Sequence, residues 1–144
     1  MTSKAPIYLS SLEEKPLIET GLFTLHSGQI SNWRVNLDSL DDETIEALAR
    51  IVSTKLHFSH VHGIPEGGLR FAEHLKKYSK PNSKNLLIVD DVCTTGASFE
   101  AVKHFYLKEV SLPYPCRKII GLCILERGKK PKWVTSLFKA NFDF

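Results

Sequence analysis

Long apolar runs are missing from this 144-residue sequence, and no stretch approaches the roughly 18 residues a membrane-spanning helix needs. The opening residues, Met1 to Pro6, carry no apolar segment, so no secretory leader is expected. Cysteine is scarce: Cys93, Cys116 and Cys123 are odd in number and show no C-x-x-C spacing. That excludes a disulfide framework and a zinc site, and it fits the reduced thiols of a cytoplasmic protein. Among the histidines, His57, His60 and His62 are too loosely spaced for a metal site. A strong charge of one sign is also lacking. Lys and Arg number 19 against 16 Asp and Glu, a net charge of +3, too mild for a nucleic-acid stripe. Repeats and low-complexity tracts are absent. No nucleic acid and no membrane is expected as a partner.

What remains is an ordinary globular balance, 42% hydrophobic and 24% charged, in a chain of single-domain length. The basic residues cluster late, at Arg117, Lys118, Arg127, Lys129, Lys130 and Lys132, and read as a solvated face. Ser10 and Ser11 each precede a Glu by three residues, which predicts a short first helix ending at Gly21. Phe23 to His26 and Trp33 to Leu37 read as two strands joined by a turn at Ser27-Gly28-Gln29. Ile45, Leu48, Ala49, Val52 and Leu56 form one helical stripe, capped by Asp41 or Asp42. A short strand around Val61 to Ile64 leads through Pro65-Glu66-Gly67-Gly68 into a helix with Leu69, Ala72, Leu75 and Tyr78 inward.

Leu86 to Val89 is a continuous apolar run, the mark of a strand buried on both faces, and it ends at Asp90-Asp91. A helix with Phe99, Val102, Phe105 or Tyr106, and Val110 follows, and then a second buried strand from Ile119 to Leu125. Two apolar strands flanking a helix imply a right-handed parallel βαβ unit, and so an open, wound α/β fold.

Chemistry concentrates between Leu86 and Ser98. Open α/β sheets bind ligands beyond the carboxyl ends of their strands, where Asp90 and Asp91 are expected. Thr94-Thr95-Gly96-Ala97-Ser98 then opens a helix, so hydroxyls and backbone N–H groups converge on its positive end. Gly96 lets the backbone approach a phosphate. Two acceptors for hydroxyls or a metal therefore stand beside an anion cup, which suits a sugar phosphate with a vicinal diol. A receiver domain would need a further Asp ending a later strand, and that strand ends in Leu125-Glu126-Arg127.

The string Leu-Leu-Ile-Val-Asp-Asp-Val-Cys-Thr-Thr-Gly-Ala-Ser resembles the 5-phosphoribosyl-1-pyrophosphate (PRPP) motif of type I phosphoribosyltransferases. Three more segments, in the family's order, are similar to orotate phosphoribosyltransferases: Phe23 to Ser31, His62 to Ala72, and Leu125 to Gly128. The resemblance implies that Asp90 and Asp91 hold the ribose hydroxyls, and Mg²⁺ through those hydroxyls or water. It implies that Thr94, Thr95, Gly96, Ala97 and Ser98 hold the 5-phosphate, and that Pro65, Glu66, Gly67 and Gly68 cradle pyrophosphate. His26, Ser27, Gly28, Arg34 and Arg127 would serve the base. The implied fold is compact, with a central, mostly parallel sheet, helices on both faces and a small N-terminal hood. Residues 1–144 would form one domain, with 1–40 as hood and 41–144 as core.

This sequence departs from the family where a mobile basic loop should lie. The helix runs to about Tyr78 and the PRPP strand starts near Lys84, leaving only Lys76, Lys77, Lys80 and Lys84 as a basic remnant that reads as a solvated helix end. His26 replaces the family's Lys, Arg34 replaces an aromatic, and Glu66 stands where a cation would help. The expectation is a transferase of phosphoribosyl from PRPP to a pyrimidine base, most closely orotate, with Mg²⁺. The alternative is a non-catalytic PRPP or nucleotide sensor, or a regulatory subunit. The resemblance leaves a homodimer or a partner subunit open, and the aromatic stretch from Pro131 to Phe144 open between packing back and a second subunit.

Overall fold

The computed structural model of the chain describes residues 18–24, 28 and 30–140, with the backbone alone at 18–20 and 33–35. The N-terminal part is an antiparallel pair, β1 (Ile18–Thr24) and β2 (Ile30–Val35). The predicted first helix begins outside the described residues, but its end is overturned: Ile18 to Gly21 are already strand. β-Branched Ile18, Thr20 and Thr24 with Phe23 favour a pleated ribbon, and the pairing register shifts between Thr20 and Phe23, around Gly21. The returning strand also starts earlier than expected and stops at Val35. Leu37–Ser39 is a 3₁₀ turn instead.

The rest is a four-stranded sheet, all parallel, in the order β3 (His60–Gly63), β4 (Asn85–Cys93), β5 (Lys118–Glu126), β6 (Val134–Lys139). Helices α1 (Asp42–Lys55) and α2 (Gly67–Lys76) cover one face, and α3 (Ala97–His104) covers the other. Alternation along β4 assigns the faces. Leu87 and Val89 join Phe58, Phe71 and Val52 in one core, while Leu86 and Ile88 join Phe99 and Cys123 in the other.

α1 forms as its sequence dictates. The Asp41 carboxylate accepts the Thr44 N–H at 2.7 Å, Asp42 and Glu43 sit in the first turn, and Ile45, Ala49 and Val52 are buried. In α2 the stripe is shifted from the predicted one. Gly68 packs onto the sheet at the first turn, which sets Phe71, Ala72 and Leu75 inward and leaves Leu69 47% exposed. In α3 the buried set is Phe99, with Val102 and Tyr106 partly buried, while Phe105 and Val110 are exposed. The backbone widens to a π turn over Phe105–Glu109, and the helical phase is lost there. β6 was not foreseen. Val134 alone is fully buried among its residues, and Thr135, Ser136 and Lys139 give it the polar pattern of an edge strand. Among the described residues, no helix is long and apolar enough to cross a membrane.

Candidate active site

The sheet opens where its strands end unevenly. β3 stops at Gly63, level with Val89, and the Ile64 N–H donates to the Val89 carbonyl at 2.8 Å. β4 runs on to Cys93 along β5, so its β3-side edge has no strand partner beyond Val89 among the described residues. The predicted strand end at Asp90-Asp91 is therefore corrected: both residues lie within the strand, at the start of its one-sided stretch. Asp91 directs its N–H to the open side, and the Asp90 carboxylate accepts it at 2.8 Å. The Asp91 carboxylate accepts the Val92 N–H at 2.7 Å.

A cavity of about 770 Å³ fills this opening, within the size range of small-molecule sites. Asp90 and Asp91 form its floor, and Thr94, Thr95, Gly96, Ala97 and Ser98 form one end. Pro65, Glu66 and Gly67 form the opposite side, and Arg127 lines it from the end of β5. Phe23, Thr24, Asn36 and Leu37 wall it from the N-terminal part. The hydroxyl of Ser31 in β2 accepts a hydrogen bond from the Arg127 guanidinium, tying the N-terminal strand pair to the four-stranded sheet.

Two glycines make this geometry accessible. A Cβ on Gly67 would collide with the Asp91 carboxylate, so the 65–67 loop closes directly on the acidic pair. Gly96 caps α3 at φ +83°, a left-handed conformation that opens the cup, and a Cβ there would meet Pro131 at 2.5 Å. The Thr95 hydroxyl accepts the Ala97 N–H at 3.3 Å.

Electrostatically the floor is under-compensated. Burial, and next the Asp91 carboxylate beside it, push Asp90 up to about 8. Arg70 lines the cavity, yet its guanidinium is paired to Asp42 at 2.9 Å. Burial lowers Arg127. The Cys93 thiol, also on the wall, is lowered chiefly by its hydrogen bond with Cys123, whose own thiol is raised by that contact and by burial.

Of the sequence-predicted residues, Asp90, Asp91, 94–98, 65–67 and Arg127 meet at this one cavity. Gly68 lies behind the wall, buried against the Val89 carbonyl. His26 and Ser27 lie outside the described residues. Gly28 is exposed in the turn, and Arg34 lies on β2 opposite Glu19 in backbone register. Sequence reasoning missed Arg70 and Asp38 on the cavity wall. Arg70 had a signal, since it follows Gly67 by one helical turn. The late basic cluster divides between the two ends of β5, and among its residues Arg127 alone lines the cavity.

No protein-family model and no curated protein sequence matches the chain. Solved structures do. Orotate phosphoribosyltransferase from Aeropyrum pernix superposes with a TM-score of 0.65 at 20% identity, over 85% of this chain and 88% of that one. The fold is that of the type I phosphoribosyltransferases. The Mycobacterium tuberculosis H37Rv orotate phosphoribosyltransferase in complex with PRPP gives 0.57 at 18% identity, over 81% and 86%. A purine phosphoribosyltransferase from Pyrococcus horikoshii Ot3 gives 0.53 at 18% identity, over 70% and 86%. The phosphoribosyltransferase fold is thus common to proteins named for different bases.

The basic remnant does not reach this site. α2 starts at the cavity and runs away from it, so residues 77–84 lie at the opposite, amino end of the strands. Lys84 precedes Asp90 by six strand positions, roughly 20 Å. Lys76 pairs with Glu73 at 2.7 Å, Lys77 pairs with Glu46, and Lys80 contacts His57 at 2.6 Å.

Proposed function

We propose that the chain is a phosphoribosyltransferase that uses PRPP and Mg²⁺ to convert a pyrimidine base, orotate, to its nucleoside 5′-monophosphate. The observation that carries this reading is the convergence of the acidic pair, the glycine-hinged cup and the 65–67 loop on one cavity. In it the 94–98 cup receives the 5-phosphate through backbone N–H groups at the start of α3. Asp90 and Asp91 receive the ribose hydroxyls. Arg127, with Arg34, orients the base carboxylate.

The donor set suits magnesium: two hard carboxyl groups side by side, a pair in which burial and the Asp91 carboxylate raise Asp90, so that a bound cation would favour its ionised form. Among the described residues no group of three His, Cys, Asp or Glu side chains is arranged to hold a metal, so ligand oxygens would complete the shell. When bound, Mg²⁺ supplies positive charge to a departing diphosphate.

A second reading, a non-catalytic PRPP or nucleotide sensor, is favoured by two observations. The connection 77–84 is short and turns away from the site, and Glu66 lies on the cavity wall. Leaving-group charge is usually stabilised by cations in a water-excluded site, and this chain brings few.

Calorimetric titration of PRPP with and without Mg²⁺, followed by a pyrophosphate-release assay with orotate, tests both readings. Saturable binding with release supports the enzyme, and binding without release over any base supports the sensor. Asp91→Asn is expected to cut PRPP use by at least about tenfold with an unchanged circular dichroism spectrum. Undiminished PRPP use in that folded variant refutes the site assignment.

A further inference from the structure

Charge is unevenly distributed around the cavity. At the cup, the start of α3 offers backbone N–H groups and the positive end of its dipole. On the side of the 65–67 loop the fixed charges are carboxylates. The Glu66 side chain lines the wall with no hydrogen bond or ion pair among the described residues, while its backbone carbonyl accepts the Leu69 N–H at 3.1 Å, and Asp38, Asp90 and Asp91 share the cavity with it. Arg70 on the same side is held by Asp42 at 2.9 Å. A ribose with its phosphate in the cup and its diol on the acidic pair presents C1 toward the 65–67 loop, because Gly67 abuts Asp91.

We propose that Glu66 is a specificity-determining residue that, without a divalent cation, selects ribose 5-phosphates carrying no diphosphate at C1, the nucleoside 5′-monophosphate class, over PRPP, and so makes PRPP binding depend on the cation. This rests on the cavity being a ribose 5-phosphate site, as read above. A hydroxyl or a neutral base at C1 meets the Glu66 carboxylate without penalty. A diphosphate at C1 brings several negative charges toward it and is repelled unless a divalent cation intervenes.

The test is calorimetric titration of the full chain in EDTA with ribose 5-phosphate and with PRPP, for the native sequence, Glu66→Gln and Glu66→Lys. In the native chain ribose 5-phosphate is expected to bind about tenfold more tightly than PRPP. Glu66→Gln leaves the ribose 5-phosphate Kd within about twofold and closes the gap, and Glu66→Lys reverses it. A role of Glu66 in loop structure alone would move both Kd values together, and that outcome overturns the proposal. So does native binding of PRPP as tight as that of ribose 5-phosphate in EDTA. Ribose 5-phosphate that fails to bind the folded native chain removes the reading of the site itself, a result separable from the other two.

Discussion

In the proposed site, Asp90 sets folding against binding in one residue. Its folded value of about 8 lies far above the roughly 3.9 of an unfolded aspartate. Between those values the unfolded chain has released a proton that the folded chain retains. Stability therefore falls as pH rises from about 4 to about 8, by an order of a few kcal/mol. Asp90→Asn should flatten this dependence and leave the protein more stable than the native chain near pH 8, while ribose 5-phosphate binding is lost. Melting temperatures of both proteins from pH 5 to 9 check it, and parallel curves would contradict the assignment of the raised group. Asp90 was legible in the sequence as half of an acidic pair. Its unusual protonation was not, because it depends on burial and on the Asp91 carboxylate beside it, which only the folded sheet supplies.

At the scale of elements, α1 and α2 are joined through Glu46. Its carboxylate accepts hydrogen bonds from Lys77 and Tyr78 and lies 3.0 Å from His74 Nδ1. These partners, Lys77 first, hold Glu46 down to about 2. A depressed carboxylate contributes stability above its unfolded value and loses it on acidification. The contribution should therefore vanish between about pH 4.5 and 2. Glu46→Gln is expected to lower the melting temperature at pH 7 and to shrink the native chain's acid-induced loss across that window. An unchanged acid limb in the variant would count against the clamp.

The elements differ in how far the sequence foretold them. α1 was readable because its stripe, cap and acidic first turn agree. β4 and β5 were readable because burial on both faces leaves unbroken apolar runs. β6 was hidden because an edge strand is half polar, and the phase of α2 was hidden because Gly68, not a large side chain, makes its innermost contact. The cup and the acidic pair could be read from local spacing alone. Arg70, Asp38 and the Ser31–Arg127 tie come from distant segments, and only the folded sheet brings them to the cavity.

Across the whole molecule, the two ends of the parallel sheet are chemically distinct. The carboxyl end carries the cavity, the cup and four carboxylates, while the 77–84 lysines stand at the amino end. An anion that docks in the cup is then felt by the helix that opens there. Trp133 leans on that helix: its ring meets Phe99 edge-on at 5.8 Å, its Nε1–H donates to Glu100 at 2.8 Å, and Lys103 lies over it at 4.8 Å. Indole emission responds to nearby charge and to its hydrogen bond, so on the proposed reading Trp133 is placed to report occupancy of the cup. Titrating ribose 5-phosphate should shift or quench the fluorescence of the native chain. The same titration of Trp133→Phe should leave only the response of Trp33, and an identical signal in both would place the reporter in the hood. No attached dye is then required to follow the filling of the cup in real time, by stopped-flow as readily as at equilibrium.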